Sequence, residues 1–151
     1  MSYEQARDIL DHAGQFHDRI SAYYQTLSDG AARQRVKLLL EYLSRRHAAI
    51  RDHLAASEES GTKDILDTWF QYSADSGLTD VLESDWFDAD GEVDDVIALV
   101  LRVDERLTGV YRKILDTALS DHVREYFEML LKLEQSEEQI MLRDALMMKD
   151  M

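Results

Sequence analysis

The fold is decided by residues 18–50, DRISAYYQTLSDGAARQRVKLLLEYLSRRHAAI. The pattern of this stretch recurs 87 positions later, so that Tyr24 corresponds to Tyr111 and Val36 corresponds to Val123. In each copy the apolar residues follow the three-and-four spacing of an α-helix, and a group of turn residues interrupts them once. A connection this short implies antiparallel neighbours, so each copy predicts a helical hairpin and the two copies predict a bundle of four helices.

The composition fits one all-helical domain. The chain has 151 residues, 45% of them hydrophobic, and it has no proline, so long uninterrupted helices are easily accommodated. It carries 31 acidic and 17 basic residues, a formal net charge of −14. We therefore expect it to bind neither nucleic acid nor an anionic membrane. The absence of cysteine removes disulfides, thiolate catalysis and thiolate metal sites.

The sequence also carries expectations about location. Its first residues lack the basic and apolar regions of a signal peptide. No apolar run approaches the roughly 20 residues that a helix needs to span a bilayer. We expect a cytoplasmic protein with no membrane-spanning segment.

The predicted fold class is all-α, an antiparallel four-helix bundle in which a long crossover with short helices joins two helical hairpins. A crossover of this length can run from one end of the bundle to the other, which lets the two hairpins pack with the same orientation. The predicted boundaries are a single domain over residues 1–151, made of a hairpin at 3–54, a crossover at 55–91 and a hairpin at 92–146.

Local signals predict where the helices begin and end. Ser2 and Gln5 have the spacing of a capping box, and Gly30 can take the left-handed conformation that closes a helix. Within the crossover, residues 62–72 favour a short helix. Ser120 is the expected N-cap of the last helix.

Five polar residues interrupt the apolar stripes: His17, His47, Asp104, Glu134 and Glu137. Antiparallel residues that are equally far from a turn lie at equal height, because a helix rises about 1.5 Å per residue. This geometry places His17 within a turn of His47, and Asp104 beside Glu134. Imidazole and carboxylate groups in one layer suit zinc, iron or manganese, and buried charges need a metal or a partner. We therefore predict these five residues as candidate metal ligands.

Each candidate also has a structural interpretation. His17 can lie at the edge of its stripe and reach water, and His47 can hydrogen-bond a tyrosine or a glutamate in the core. Glu134 and Glu137 can flank the core and pair with arginines of the neighbouring helix. Since Asp104 is followed directly by a second acid, at most one of the two points squarely inward.

Both hairpins resemble the ferritin-like superfamily, rubrerythrin-type branch. The resemblance rests on the doubled hairpin, the long crossover, and a tyrosine seven residues after an inward polar residue, at His17 and Tyr24 and at Asp104 and Tyr111. It implies a four-helix bundle that binds two irons. The ligands of such a centre would be a glutamate from each of the first and third helices and a Glu-x-x-His motif from each of the second and fourth.

The sequence departs from that iron-binding pattern at several positions. Ser44 stands where the glutamate of the second helix is expected, and Glu137 stands where the histidine of the fourth helix is expected. The first helix offers His17, or Asp18 if the register slips, in place of a glutamate. The departures leave the set of four carboxylates and two histidines incomplete, so a single metal ion or no metal at all is expected.

The sequence is compatible with two functions. The first is a non-enzymatic interaction or stress-associated protein, a homodimer with a ferritin-like bundle and no intact diiron site. Aromatic residues of the crossover would meet a protein partner or, alternatively, would only cover the side of the bundle; they are Trp69, Phe70, Tyr72, Trp86 and Phe87. The second is a metal-dependent redox or metal-handling protein that uses iron, manganese or zinc, with Tyr24 or Tyr111 beside the ion.

Overall fold

The structure is a computed structural model that describes residues 2–60, 63–67, 69–72, 82, 87–117 and 120–150. Four long helices account for most of these residues, which confirms the predicted all-α bundle. In chain order the elements are β1 (Ser2–Gln5), α1 (Ala6–Gly30), α2 (Gln34–Ser60), α3 (Lys63–Leu66), β2 (Trp69–Tyr72), α4 (Val93–Thr117) and α5 (Asp121–Lys149).

The start of the chain differs from the prediction. Residues Ser2–Gln5 form a short strand that pairs antiparallel with Trp69–Tyr72. The first helix therefore begins at Ala6, where the backbone N–H of Gln5 donates to Asp8 Oδ2 at 3.2 Å. The helix predicted over 62–72 is likewise limited to the four residues of α3, because the chain becomes extended in β2.

The other helix ends follow local capping chemistry. Gly30 is the last residue of α1 rather than a left-handed cap, and the extended Ala31 follows it. Ser120 is the N-cap of α5, as predicted, and its Oγ accepts a hydrogen bond from the Val123 amide at 3.2 Å. Such a cap satisfies an amide that has no partner within the helix.

The bundle has the orientation that a long crossover allows. Near one end, Lys149 Nζ at the end of α5 lies 3.0 Å from Asp94 Oδ1 in the first turn of α4. The Arg35 guanidinium at the start of α2 donates to the Lys149 carbonyl at 3.4 Å. The starts of α2 and α4 therefore lie at the same end of the bundle, and α5 runs antiparallel to both.

The core consists of two apolar clusters with a polar layer between them. The first contains Ile20, Leu43 and Leu107, and the second contains Ala13, Ile50 and Val110, with neighbours from all four long helices. Parts of the crossover cover these clusters: Leu66 lies in the second, and Leu82 and Phe87 pack against the first. Trp86 and the side chains of Trp69, Phe70 and Tyr72 lie outside the described residues. No helix in the described part of the chain is apolar enough over a sufficient length to cross a membrane.

Candidate functional site

The candidate site is the polar layer, formed by His17, His47, Asp104 and Glu134, one residue from each long helix. Each lies at an inward position of its apolar stripe and is at most 4% exposed. The interpretation in which His17 reaches water is therefore wrong. Asp104 is the acid that points inward, and the acid that follows it is exposed to solvent.

A chain of hydrogen bonds joins three of these residues and a tyrosine. His17 Nδ1 lies 2.9 Å from His47 Nδ1, and His17 Nε2 lies 2.7 Å from Glu134 Oε1. Tyr111 donates its hydroxyl to the same Glu134 oxygen at 3.2 Å. Both ring nitrogens of His17 are thus engaged, and Glu134 Oε1 accepts from two donors.

Two assignments of protons satisfy all of these hydrogen bonds. An ionised Glu134 can only accept, so His17 Nε2 and Tyr111 donate to it. If His17 is neutral, its Nδ1 accepts from His47 Nδ1–H, and if His17 carries both ring protons, its Nδ1–H donates to His47 Nδ1 instead. Burial lowers the pKa of His47 well below its usual range, and repulsion from His17 adds to the shift. The buried His47 ring is therefore neutral, and a neutral ring fits either assignment.

Asp104 is the fourth residue of the layer, and one of its side-chain oxygens is unsatisfied. Its Oδ2 is buried and has no hydrogen-bond partner among the described residues. Burial raises the pKa of Asp104 well above its usual range, and the charges of Glu138 and Glu134 raise it further. Burial also raises the pKa of Tyr24, with a further contribution from Asp104, and the Tyr24 hydroxyl lacks a partner in the same part of the structure.

The layer preserves the repeat of the sequence. The Tyr24 ring lies 5.5 Å from the His47 ring, and the equivalent Tyr111 bonds to the equivalent Glu134. Each hairpin therefore places its tyrosine against the polar residue of its own second helix. These contacts are consistent with the prediction that the four residues lie at the same height along the bundle.

Glu137, the fifth predicted ligand, is not brought together with the other four. Its carboxylate forms an ion pair with Arg46 of α2 at the edge of the bundle. This geometry matches the alternative in which Glu137 flanks the core and pairs with an arginine. Glu134 instead points inward, one turn earlier on α5.

Other polar contacts beside the layer were not anticipated. Ser44, which stands in place of the expected glutamate, bonds with Ser21 of α1: their hydroxyls are 3.0 Å apart, and each hydroxyl also lies 2.8 Å from the carbonyl of the other. Glu138 acts electrostatically on Asp104. Ser21 lies four residues after His17, so its place one helical turn along the same face was the available signal.

The side chains present do not fit a diiron centre. The layer supplies two imidazoles and two carboxylates, and one imidazole has both nitrogens engaged by its neighbours. Across the described ranges, no group of three or more His, Asp or Glu side chains is arranged to hold a metal ion. The site is instead a buried hydrogen-bonded network beside Asp104 Oδ2, which has no hydrogen-bond partner among the described residues.

Comparisons with known proteins bear on the fold. No family model matches the chain, and no curated protein matches it. A solved structure from Thermotoga maritima, described as a "putative ferritin-like diiron-carboxylate protein", superposes with a TM-score of 0.60 at 16% sequence identity. The match covers 99% of this chain and 97% of that one. The helices, their order and this similarity together show that the chain has the ferritin-like fold.

Proposed function

We propose that the protein is a ferritin-like bundle that works without a diiron centre, as a non-enzymatic interaction or stress-associated protein. The observation that supports this proposal is the engagement of both His17 ring nitrogens, by His47 at 2.9 Å and by Glu134 at 2.7 Å. Hydrogen bonds between side chains thus satisfy the His17 nitrogens, whereas in a diiron protein of this fold such inward side chains would bind metal ions.

The chemistry of the layer also favours protons over metal. Metal ligands must be deprotonated, so a metal ion would have to displace the protons that join His17 to His47 and to Glu134. Buried polar groups that are already paired gain less from a metal than unpaired ones do. Ser44 adds no carboxylate, since its hydroxyl pairs with Ser21.

The interaction role includes self-association as a homodimer. Its support is that five large apolar side chains are about half exposed on α2, α4 and α5, namely Leu38, Leu101, Met129, Leu146 and Met147. Light scattering after size-exclusion chromatography tests the dimer directly. A mass of 17.5 kDa at all concentrations would contradict it.

A second candidate is a metal-handling protein that holds one divalent ion. The observation that favours it is the buried Asp104 Oδ2, which has no hydrogen-bond partner in the described part of the chain. The negative charge of Glu134 is also among the causes that raise the pKa of Asp104. Iron, manganese or zinc could supply the missing positive charge there. His17 and His47 would have to break their mutual hydrogen bond to become ligands.

Elemental analysis separates the two candidates. The purified, tag-free protein would be measured as isolated and after incubation with iron(II), manganese(II) or zinc(II), beside the variants His47→Ala and His122→Ala. The first variant alters the layer, and the second is a matched histidine control at an exposed position on α5. We expect no stoichiometric metal in any of the three proteins, and no rise in melting temperature with metal.

A different result would favour the metal-handling candidate. Metal close to one per chain in the wild type and in His122→Ala, but lost in His47→Ala, would establish a working site. Metal would then also raise the melting temperature, because a ligand that binds only the folded state stabilises it.

A further inference from the structure

The outward face of α4 is exposed from the first turn of the helix almost to its end. Between positions 94 and 113 its exposed residues are Asp94, Asp95, Ala98, Leu101, Arg102, Glu105, Arg106, Arg112 and Lys113. They recur every three or four positions, so they form one stripe opposite the buried side of the helix. Leu101, near the middle of this stripe, is 46% exposed.

Gly109 lies on the same stripe and leaves open space beside the helix. A Cβ at this position would meet no atom within 4 Å among the described residues. A groove of about 280 Å³ surrounds the glycine, with walls formed by Glu105, Arg106, Arg112 and Lys113. Because glycine lowers the stability of a helix interior relative to alanine, packing within the monomer does not explain its presence here.

The charges of the stripe are self-complementary when a second copy of α4 lies antiparallel to the first. A twofold axis midway between positions 103 and 104 relates each residue of one copy to a residue of the other. Three pairs of opposite charge result: Asp94 with Lys113, Asp95 with Arg112, and Arg102 with Glu105. By symmetry each pair forms twice, so the arrangement joins acids to bases along the whole stripe.

The uncharged positions of the stripe fit the same arrangement. The twofold axis places Ala98 opposite Gly109, so two small residues face each other and the helices can approach closely. It places Leu101 opposite Arg106, whose aliphatic stem can cover the exposed leucine.

The charge of this face also favours a second copy of the chain. The whole chain has a net charge of −14, so most approaches of two copies are repulsive. The stripe exposes four basic and three acidic side chains between positions 94 and 113 and therefore lacks that excess of negative charge. Asp94 also contacts Lys149 Nζ at 3.0 Å, but it remains 64% exposed and can form a second ion pair.

We propose that α4 forms the interface of the homodimer, packed antiparallel against α4 of a second copy about this axis. The proposal rests on the self-association proposed above and assigns a surface to it. It selects α4 among the three helices that expose large apolar side chains.

Two double variants test the charge pairs by light scattering after size-exclusion chromatography. The first, Arg112→Glu with Lys113→Glu, places acids opposite the two aspartates. The second, Asp94→Lys with Asp95→Lys, places bases opposite the arginine and the lysine. Each variant alone should dimerise at least about tenfold more weakly than the wild type, because like charges then face each other. An equal mixture of the two should form a heterodimer with twice the 17.5 kDa mass of the chain, since opposite charges face each other again at both ends.

A control with the same change in net charge separates this effect from general repulsion. Arg124→Glu with Lys132→Glu alters two exposed positions of α5 and should dimerise like the first double variant only if the location of the charges is irrelevant. We expect it to dimerise like the wild type.

A substitution at the glycine tests the close approach of the helices without changing any charge. Gly109→Trp should weaken dimerisation at least about tenfold, because helices in contact lie only about 8–10 Å apart. Gly14→Trp is the matched control on α1, since a Cβ there also meets no atom within 4 Å. The glycine variant remains informative if the aspartate variant folds poorly, since Asp95 Oδ2 accepts a hydrogen bond from the Glu92 amide at 2.8 Å.

The outcomes distinguish failure of the interface from failure of the homodimer. A wild-type dimer that persists with unchanged affinity in the α4 variants would place the interface elsewhere, and this proposal would fail while the homodimer stands. Folded variants that do not associate on mixing would show that the charge pairs do not form. A wild-type protein that is monomeric at all concentrations would contradict the homodimer itself.

Discussion

The two helical hairpins share one pattern but place opposite chemistry in the polar layer. The first supplies the imidazoles of His17 and His47, and the second supplies the carboxyl groups of Asp104 and Glu134 at the equivalent positions. Two identical hairpins would bring together either four imidazoles or four carboxyls, and four ionised carboxyls cannot pair with one another without added cations or protons. Divergence of the hairpins therefore supplies donors in one half and acceptors in the other.

The hydrogen bonding of the polar layer is incomplete on one side. Glu134 receives hydrogen bonds from His17 and Tyr111, whereas Asp104 Oδ2 and the Tyr24 hydroxyl have none within the described residues. The layer thus contains a satisfied side and an unsatisfied side. Substitutions on the two sides should have opposite effects on stability.

The largest effect is expected for Glu134→Ala. The change removes the acceptor that His17 Nε2 and the Tyr111 hydroxyl share in the core. Removing one partner of a buried pair typically costs about 3–5 kcal/mol of unfolding free energy. Urea denaturation measures this loss, and Glu128→Ala at an exposed position of the same helix should change stability by less than about 0.5 kcal/mol. Equal losses in both variants would show that the network contributes nothing specific.

The equivalent tyrosines give a matched pair of smaller substitutions. Tyr111→Phe removes a donor to Glu134 and should lower the unfolding free energy by about 1–3 kcal/mol, because bonds to charged groups are among the stronger ones. Tyr24→Phe removes a buried hydroxyl that lacks a partner in the described structure, so stability should stay the same or rise. Thermal and urea unfolding of both variants check the difference in sign, and a loss in Tyr24→Phe as large as in Tyr111→Phe would contradict the asymmetry.

The two hairpins should also make opposite contributions to the pH dependence of stability. The raised pKa of Asp104 means that the folded state holds a proton that the unfolded state releases above about pH 4. The contribution of Asp104 to folding stability is therefore present at low pH and is lost as the pH rises toward the pKa of this group in the folded state. The lowered pKa of His47 acts in the other direction, because only the unfolded state takes up that proton as the pH falls below about 6.5.

The variant Asp104→Asn isolates the part of this pH dependence that is due to the Asp104 carboxyl group. The variant removes the ionisable group, so its stability relative to the wild type should increase with pH and reach a gain of about 1–3 kcal/mol at pH 8, the usual cost of leaving a buried polar group unpaired. Urea unfolding of both proteins from pH 5 to pH 8 shows how the difference in their unfolding free energies changes with pH. A difference that does not vary with pH would mean that Asp104 is not protonated in the folded state, contrary to the direction of its shift.

The sequence was sufficient to predict the features that depend on spacing along one helix. Periodic apolar residues identified the four long helices, and equal distances from the turns brought His17 near His47. The strand Ser2–Gln5 was not predictable in this way, because its pairing partner Trp69–Tyr72 lies more than 60 residues away. Ser2 and Gln5 also have capping spacing, which made an earlier helix start equally consistent with local signals.

The fate of individual site residues depended on neighbours across the bundle. Glu134 and Glu137 lie within one turn, and the apolar stripe alone cannot distinguish them. The ion pair of Glu137 with Arg46 requires the seam between α2 and α5, and the two hydrogen bonds of His17 require contacts of α1 with both α2 and α5. These are properties of the packed bundle, so helical periodicity could propose the candidates but could not rank them.

The smallest expected effect concerns the serines beside the layer. In the first hairpin Ser44 and Ser21 bond across the two helices, whereas their equivalents in the second hairpin are Leu131 and Thr108, and Thr108 bonds to the Asp104 carbonyl of its own helix at 3.0 Å. Ser44→Ala should therefore cost about 0.5–1.5 kcal/mol, the net value of one or two neutral hydrogen bonds. Thr108→Val should cost less, because a bond back to the same helix adds little to packing between helices. Urea unfolding of the two variants compares these costs, and a larger loss in Thr108→Val would show that the serine contact does not hold α1 against α2.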